Sequence, residues 1–320
     1  MLLVSVVAFM FAACDTDVET KNPVNLTDPA RTPEYYEALR AYKKSDHPVA
    51  FGWFGNWVGA GASLENSLRG LPDSVDFVSI WGNWRNLTPE RKADLEYVQT
   101  VKGTRALVCF IVQNVGDQLT PEGEDATTFW GEGDEAIVKY ANAICDTIDD
   151  YDYEPNYGHR GNISGVPAAE KVFVEALSRR LGPKSGTDKM LVIDGEPQTI
   201  NSELGPCFNY FIVQAYQCTG DANLDGRLQG TIMNFNGVLE PEEVAKKYIV
   251  TENFENFALA GGVSFTDRNG NEMMRVWPVG SPSSMARKSR RVVSVPITWS
   301  MSIWQASSLL IPLCVRVSRL

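Results

Sequence analysis

The sequence predicts an α/β protein built as a (β/α)8 TIM barrel, and three observations predict it. Apolar runs of strand length alternate with amphipathic segments of helical period across most of the chain, the pattern of repeated parallel β/α units. The chain has 320 residues, a length that barrels of this kind use as a single unit. No glycine-rich phosphate loop follows the first strand, which counts against the doubly wound nucleotide-binding alternative.

Taken in order, Thr32 to Lys44 reads as a short helix with Pro33 in its first turn. Pro48 to Trp57 is the first strand, and Val75 to Trp81 the second, followed by Gly82-Asn83-Trp84. Pro89 to Val101 forms a helix with Leu95, Tyr97 and Val98 on one side. Arg105 to Val112 is the third strand, a continuous apolar run of the kind buried in parallel sheets. Asp134 to Ile148 is a helix with Ile137, Tyr140, Ala141, Ile144 and Ile148 in register. Beyond residue 160 come a helix at Ala168 to Leu181, a fifth strand at Met190 to Asp194 and a sixth at Phe208 to Tyr216. A helix at Pro241 to Lys247 and a seventh strand at Tyr248 to Asn253 complete the predicted set.

The fourth strand falls on Asp149-Asp150-Tyr151-Asp152-Tyr153-Glu154-Pro155. Residues two apart in a strand share a face, so Asp150, Asp152 and Glu154 line up, with Glu154 at the C-terminal end. Carboxyls this close cannot all ionise freely, and at least one should hold its proton to higher pH. On spacing alone the same residues also fit a polar loop of an acidic protein. The active face of such a barrel is the C-terminal end of its strands. Those ends carry Trp53 and Trp57, Trp81 and Trp84, Asn114, Glu154, Asp194, Gln214 and Tyr216, and Glu252 with Asn253. Tryptophans beside amides and carboxylates suit sugar rings, with about half of the tryptophans expected in the core.

Asp150-x-Asp152-x-Glu154 at a strand end resembles the signature of glycoside hydrolase family 18, the chitinases and endo-β-N-acetylglucosaminidases. The resemblance implies that Glu154 is the general acid/base and that Asp152 orients the substrate's own acetamido group. Asp150 would support Asp152, and the acetamide would serve as nucleophile. Gln214-Ala-Tyr216 resembles the Gln-x-Tyr pair of the endo-β-N-acetylglucosaminidase branch, in which the Tyr bonds the acetamido oxygen, and so disfavours a chitinase. The likeness runs from about residue 35 to 270 and is greatest to family 18 lipoproteins of Bacteroidetes. It includes Trp81-Gly-Asn-Trp84, Asp152 to Gly158, Val192-Ile-Asp-Gly-Glu-Pro197 and Tyr248 to Glu255. The family's first motif Asp falls on Thr147 here, a departure. The implied activity is cleavage of the β-1,4 bond in the N,N'-diacetylchitobiose core of N-glycans, with retention. The alternatives are a non-catalytic glycan-binding surface lipoprotein and an inactive remnant.

Charge and composition bound the rest. A net charge of −11 argues against nucleic acid as a partner; a neutral glycan needs no complementary charge. With His47 and His159 the only histidines, a Ser-His-Asp site and a His-rich metal site are both disfavoured. Cys109, Cys145, Cys207, Cys218 and Cys314 contain no Cys-x-x-Cys pair, so neither a disulfide framework nor zinc is expected. Asp221-Ala-Asn223-Leu-Asp225-Gly226 matches half an EF-hand loop, but its twelfth position is Ile232 rather than Glu. It reads as a polar βα loop. Glu65 and the acidic residues of 122–136 read as solvated surface. No metal or cofactor is expected, and the chain is read as a monomer.

Residues 1–14 read as a lipoprotein signal peptide ending in a lipobox with Cys14 as the lipidation site. Residues 15–30 read as a tether and 31–272 as the barrel, which implies an exported, outer-membrane surface lipoprotein. Two irregularities stand out. The helix ending at Ile148 meets the fourth strand with no turn, about nine residues short of usual strand and loop lengths. Either the helix yields its last turn to the strand, or Glu154 is misplaced. In addition, no Asp or Glu follows Glu272, while 273–320 holds Arg275, Arg287, Lys288, Arg290, Arg291, Arg316 and Arg319. That aberrant basic tail reads as a frameshift product without a selected fold, which predicts an incomplete barrel whose eighth strand is doubtful and whose edges are exposed.

Overall fold

A computed structural model describes residues 31–145, 150–253, 263–275 and 293–294, apart from 62, 63, 65, 83 and 86. Cys14, the tether, Glu65 and most of the basic tail therefore lie outside the described residues. Seven parallel strands among those described form the barrel: β1 (Ala50–Phe54), β2 (Phe77–Trp81), β3 (Arg105–Ile111), β4 (Asp150–Tyr153), β5 (Val192–Gly195), β6 (Tyr210–Gln214) and β7 (Tyr248–Thr251). An antiparallel hairpin follows, β8 (Val263–Thr266) with β9 (Glu272–Arg275). The eighth place in the ring is held by β10, the two residues Val293–Ser294, between β7 and β1. The expected barrel is present, and two residues of its closing strand are described.

The helices form where caps and apolar spacing coincide. In α1 (Pro33–Lys44), Thr32 Oγ1 accepts from the Tyr35 N–H at 3.2 Å, and in α2 (Pro89–Tyr97) Thr88 does the same for Arg91 at 3.3 Å. Both then start with Pro, whose missing N–H costs nothing in a first turn. The short α3 (Ala126–Trp130) is capped by Asp125. In α4 (Gly133–Ile144) the buried side chains are Ala136, Ile137, Tyr140, Ala141 and Ile144, one stripe at helical spacing. The described part of this helix runs to Ile144 and β4 begins at Asp150; the junction at 146–149, where the helix was expected to run on to Ile148, lies outside the described residues.

Beyond β4 run α5 (Pro167–Ser178), α6 (Asp221–Asn234) and α7 (Pro241–Lys247). The second of these corrects the sequence reading, since Asp221 to Ile232 is helix and not a polar βα loop. Leu224, Leu228 and Thr231 supply a buried stripe, while the glycines and charged residues between them disguise it. A helical backbone cannot wrap a cation as an EF-hand loop does, so that reading falls with it.

Alternation along the strands separates two cores. Phe51, Trp53, Phe77, Leu107, Cys109, Val192, Ile212 and Ile249 pack together inside the barrel. Phe110, Tyr153, Ile193, Phe211, Val213, Tyr248 and Val250 face outward and join the helices in a larger cluster. Asp152 pairs in register with Ile111 on one side and Asp194 on the other. Asp152, Asp194 and Gln214 therefore lie on the inner face, toward the C-terminal ends of their strands.

Candidate active site

Asp152 and Asp194 are neighbours across β4 and β5, 3% and 0% exposed. Burial raises the Asp152 carboxyl well above the ordinary carboxylate range, and the charges of Asp194 and Glu154 and a hydrogen bond with Asp194 add to the rise. The raised carboxyl that the spacing predicted is thus Asp152. Asp194 is held from three sides: Oδ2 accepts from Trp53 Nε1 at 3.3 Å and from Cys109 Sγ at 3.6 Å, and Oδ1 accepts from Gln214 Nε2 at 3.1 Å. Asp152 Oδ1 is buried with no hydrogen-bond partner among the described residues. A buried, unpaired acceptor is costly in a resting protein and suits a ligand that donates to it.

Glu154 follows directly, where the strand ends. Its backbone (φ −131°, ψ 56°) leaves the β region and enters a single 3₁₀ turn, Pro155–Tyr157. Its carbonyl accepts from the N–H groups of Tyr157 (3.1 Å) and His159 (3.4 Å). Gly195 explains how the carboxylate arm fits. At φ 97°, a Cβ there would stand 2.6 Å from the Tyr153 carbonyl oxygen and 2.8 Å from Glu154 Cγ, so only glycine allows this approach. Tyr216 comes off the end of β6, half-buried. Burial and then the charges of Asp194, Glu154 and Asp152 push its phenol up, so it stays a neutral hydrogen-bond donor beside three carboxyls.

A family model described as glycoside hydrolase family 18, BT1044-like, matches residues 15–294. The chain belongs to glycoside hydrolase family 18. It is 27% identical over 248 residues to endo-β-N-acetylglucosaminidase F2 of Elizabethkingia meningoseptica, a match covering 72% of this chain and 64% of that protein. The chain thus spans slightly less than two thirds of that relative's length. A solved structure of BT1044, in selenomethionine form with a Glu-to-Gln substitution, is 33% identical at a TM-score of 0.68; the match covers 83% of this chain and 86% of that one. An apo endo-β-N-acetylglucosaminidase from Cordyceps militaris, 20% identical, shares the fold at a TM-score of 0.55 over 84% of this chain and 87% of its own.

Within this family 18 barrel the remaining predicted residues divide. The β4 backbone carries Asp150 in register with Cys109 and Val192, two residues below Asp152. Trp53 is buried and braces Asp194, while Trp81, 43% exposed at the end of β2, offers a face to solvent. Trp84 is half-buried and stacked on Phe110, with Arg85 over its ring. Trp57 belongs to the core and not to the site. It is fully buried with Phe54, Leu68 and Val98, and its Nε1 donates to Asp94 at 2.8 Å. Asn114 ties loops together: its Oδ1 accepts from the Asn162 N–H at 2.9 Å. Glu252, 2% exposed, accepts from the Gln217 and Asn253 N–H groups, both at 2.9 Å. Gln217 has φ 58°, a strained value for a residue with a side chain, so Glu252 fixes the turn that aims Tyr216. Asn253 contributes this backbone N–H and lies half-buried at the end of β7.

Sequence reasoning missed three contributors. His159 Nδ1 lies 3.1 Å from Glu154 Oε2, outside hydrogen-bonding geometry, a contact made by the turn rather than by any motif. Glu170 of α5 is buried and accepts from the Tyr153 hydroxyl and the Gly165 N–H, both at 2.7 Å. Burial raises its carboxyl above the usual range. Glu196 accepts from Asn156. Its place in Gly195-Glu196-Pro197, just past a strand end, was the only signal for it.

Proposed function

We propose that this chain is a retaining endo-β-N-acetylglucosaminidase that cleaves the β-1,4 bond of the N,N'-diacetylchitobiose core of N-glycans. The observation that carries the proposal is the buried Asp152–Asp194 pair, adjacent in register across β4 and β5, with Asp152 Oδ1 unpaired and Glu154 next but one in the chain. A site with one half-buried acid and a buried carboxyl pair suits substrate-assisted chemistry, which needs no enzyme nucleophile. Glu154 delivers its proton to the glycosidic oxygen as the acetamido oxygen attacks C1 and the C1–O bond breaks, giving an oxazolinium ion. Asp152 accepts the acetamide N–H, and the charge it shares with Asp194 offsets the cation. The Tyr216 hydroxyl donates to the acetamide oxygen. Glu154 then takes a proton from water, which adds to C1, opens the oxazoline ring and leaves the configuration retained. Trp81 supplies a stacking face for a sugar. Export as a surface lipoprotein through Cys14 belongs to the same proposal and is supported by the sequence of residues 1–14 alone.

The test is the mass of an N-glycosylated protein after incubation with the purified enzyme. Loss of the glycan down to a single N-acetylglucosamine on Asn is expected. Glu154→Gln should lower the rate at least a thousandfold, near the upper range for a lost general acid/base. An unchanged mass with a folded wild-type protein would refute the hydrolase and leave a glycan-binding role.

A further inference from the structure

Glu196 is 6% exposed and takes no part in the chemistry above, yet it is bound to the loop that carries Glu154. Oε2 accepts from the Asn156 backbone N–H at 2.8 Å, and Oε1 accepts from Asn156 Nδ2 at 3.0 Å. The Glu196 N–H in turn donates to the Tyr153 carbonyl at 2.9 Å. One residue of the β5 loop therefore grips both sides of Glu154 in the chain, Tyr153 before it and Asn156 after it. Glu154 itself sits at a backbone conformation outside the strand and the 3₁₀ turn, and the turn holds it by its carbonyl oxygen rather than by its side chain. The close approach at Gly195 leaves its arm little alternative room. A charged acceptor holding two neutral donors makes stronger hydrogen bonds than a neutral one would.

We propose that Glu196 is a positioning residue that aims the Glu154 carboxyl at the scissile oxygen, acting through Asn156. The proposal rests on reading Glu154 as the acid/base. Removing the grip frees the Pro155–Tyr157 turn, and a displacement of about 1 Å at a reacting group costs about a hundredfold in rate. Glu196→Ala is therefore expected to lower kcat roughly 30- to 100-fold with KM within about twofold. Glu196→Gln should restore kcat to within about fivefold of wild type, because its amide oxygen still accepts from the Asn156 N–H and its NH₂ can face Asn156 Oδ1 once that amide turns over.

The experiment is steady-state kinetics of wild type, Glu196→Ala and Glu196→Gln on an N-glycosylated protein, with crystal structures of both variants. A Glu154 carboxyl displaced by about 1 Å in Glu196→Ala and unmoved in Glu196→Gln is the structural result expected. Unchanged kcat, a loss confined to KM, or equal damage by Ala and Gln would overturn the proposal. If Glu196→Ala does not fold, Asn156→Ala takes its place and should show a smaller loss in kcat with KM held. If wild type proves inactive on glycans, the functional reading fails while the positioning claim is still decided by the structures: an unmoved Glu154 in Glu196→Ala refutes it.

Discussion

The fourth and closing strands stand four places apart in the ring of eight, on opposite sides of the barrel, with four residues in β4 and two described in β10. They are held in different ways. The four residues of β4 pair along their length with β3 and β5, and the strand is gripped from outside as well. Tyr153 reaches back to Glu170, Glu196 holds Tyr153 and Asn156, and Asp152 lies beside Asp194. Among the described residues, the closing strand β10 pairs Val293 and Ser294 with β1 and Val293 with β7. A strand that must present charged groups inward cannot rely on apolar burial, and here hydrogen bonds from both flanking layers take over that work.

Substitutions that break this contrast should fall in a definite order. Asp194→Ala is expected to be the most damaging, because Trp53 Nε1 and Gln214 Nε2 lose their acceptor and Asp152 loses its partner. A loss of about 3–5 kcal/mol in chemical denaturation, together with the loss of activity, is the expected outcome. Glu170→Ala leaves the Tyr153 hydroxyl and the Gly165 N–H without their acceptor. It should cost about 2–3 kcal/mol, measured as a lower denaturation midpoint at constant slope. Val293→Pro places a proline in the seam and should cost about 1 kcal/mol or less, because the described pairing there rests on two residues.

A pH experiment sharpens the same contrast. Burial raises Asp152 above its unfolded value, so between the two values the folded chain keeps a proton that the unfolded chain has released. Stability from this group is complete below about pH 4 and is lost as pH rises toward the folded value. Asp152→Asn removes that titration. Its Tm relative to wild type should therefore climb by roughly 2–4 °C between pH 4 and pH 8. A difference that stays flat would mean that Asp152 does not hold its proton in the folded chain.

Much of this was legible in the residues. Apolar runs such as Arg105 to Val112 announced buried parallel strands, and the alternation in Asp150-Tyr151-Asp152-Tyr153-Glu154 placed Asp152 on the inner face and Tyr153 on the outer one. Other features were hidden for physical reasons. Helix α6 is polar on all but a narrow stripe of Leu224, Leu228 and Thr231, so its composition resembles a loop. Trp57 sits three residues past β1 among aromatic candidates, and only the fold shows that Asp94 claims its indole. Glu170 and Glu196 act through partners on other elements, 17 and 40 residues away in the chain, and no local pattern marks them.

The central claim is that polar contacts hold β4 in its working register as firmly as apolar burial holds its neighbours. Amide hydrogen exchange read peptide by peptide tests it most directly, since it reports local opening along the ring. Protection across Asp150–Asn156 comparable to that of β3 and β5, with rapid exchange at Val293–Ser294, is the predicted result. Exchange across Asp150–Asn156 as fast as at the seam would contradict the account.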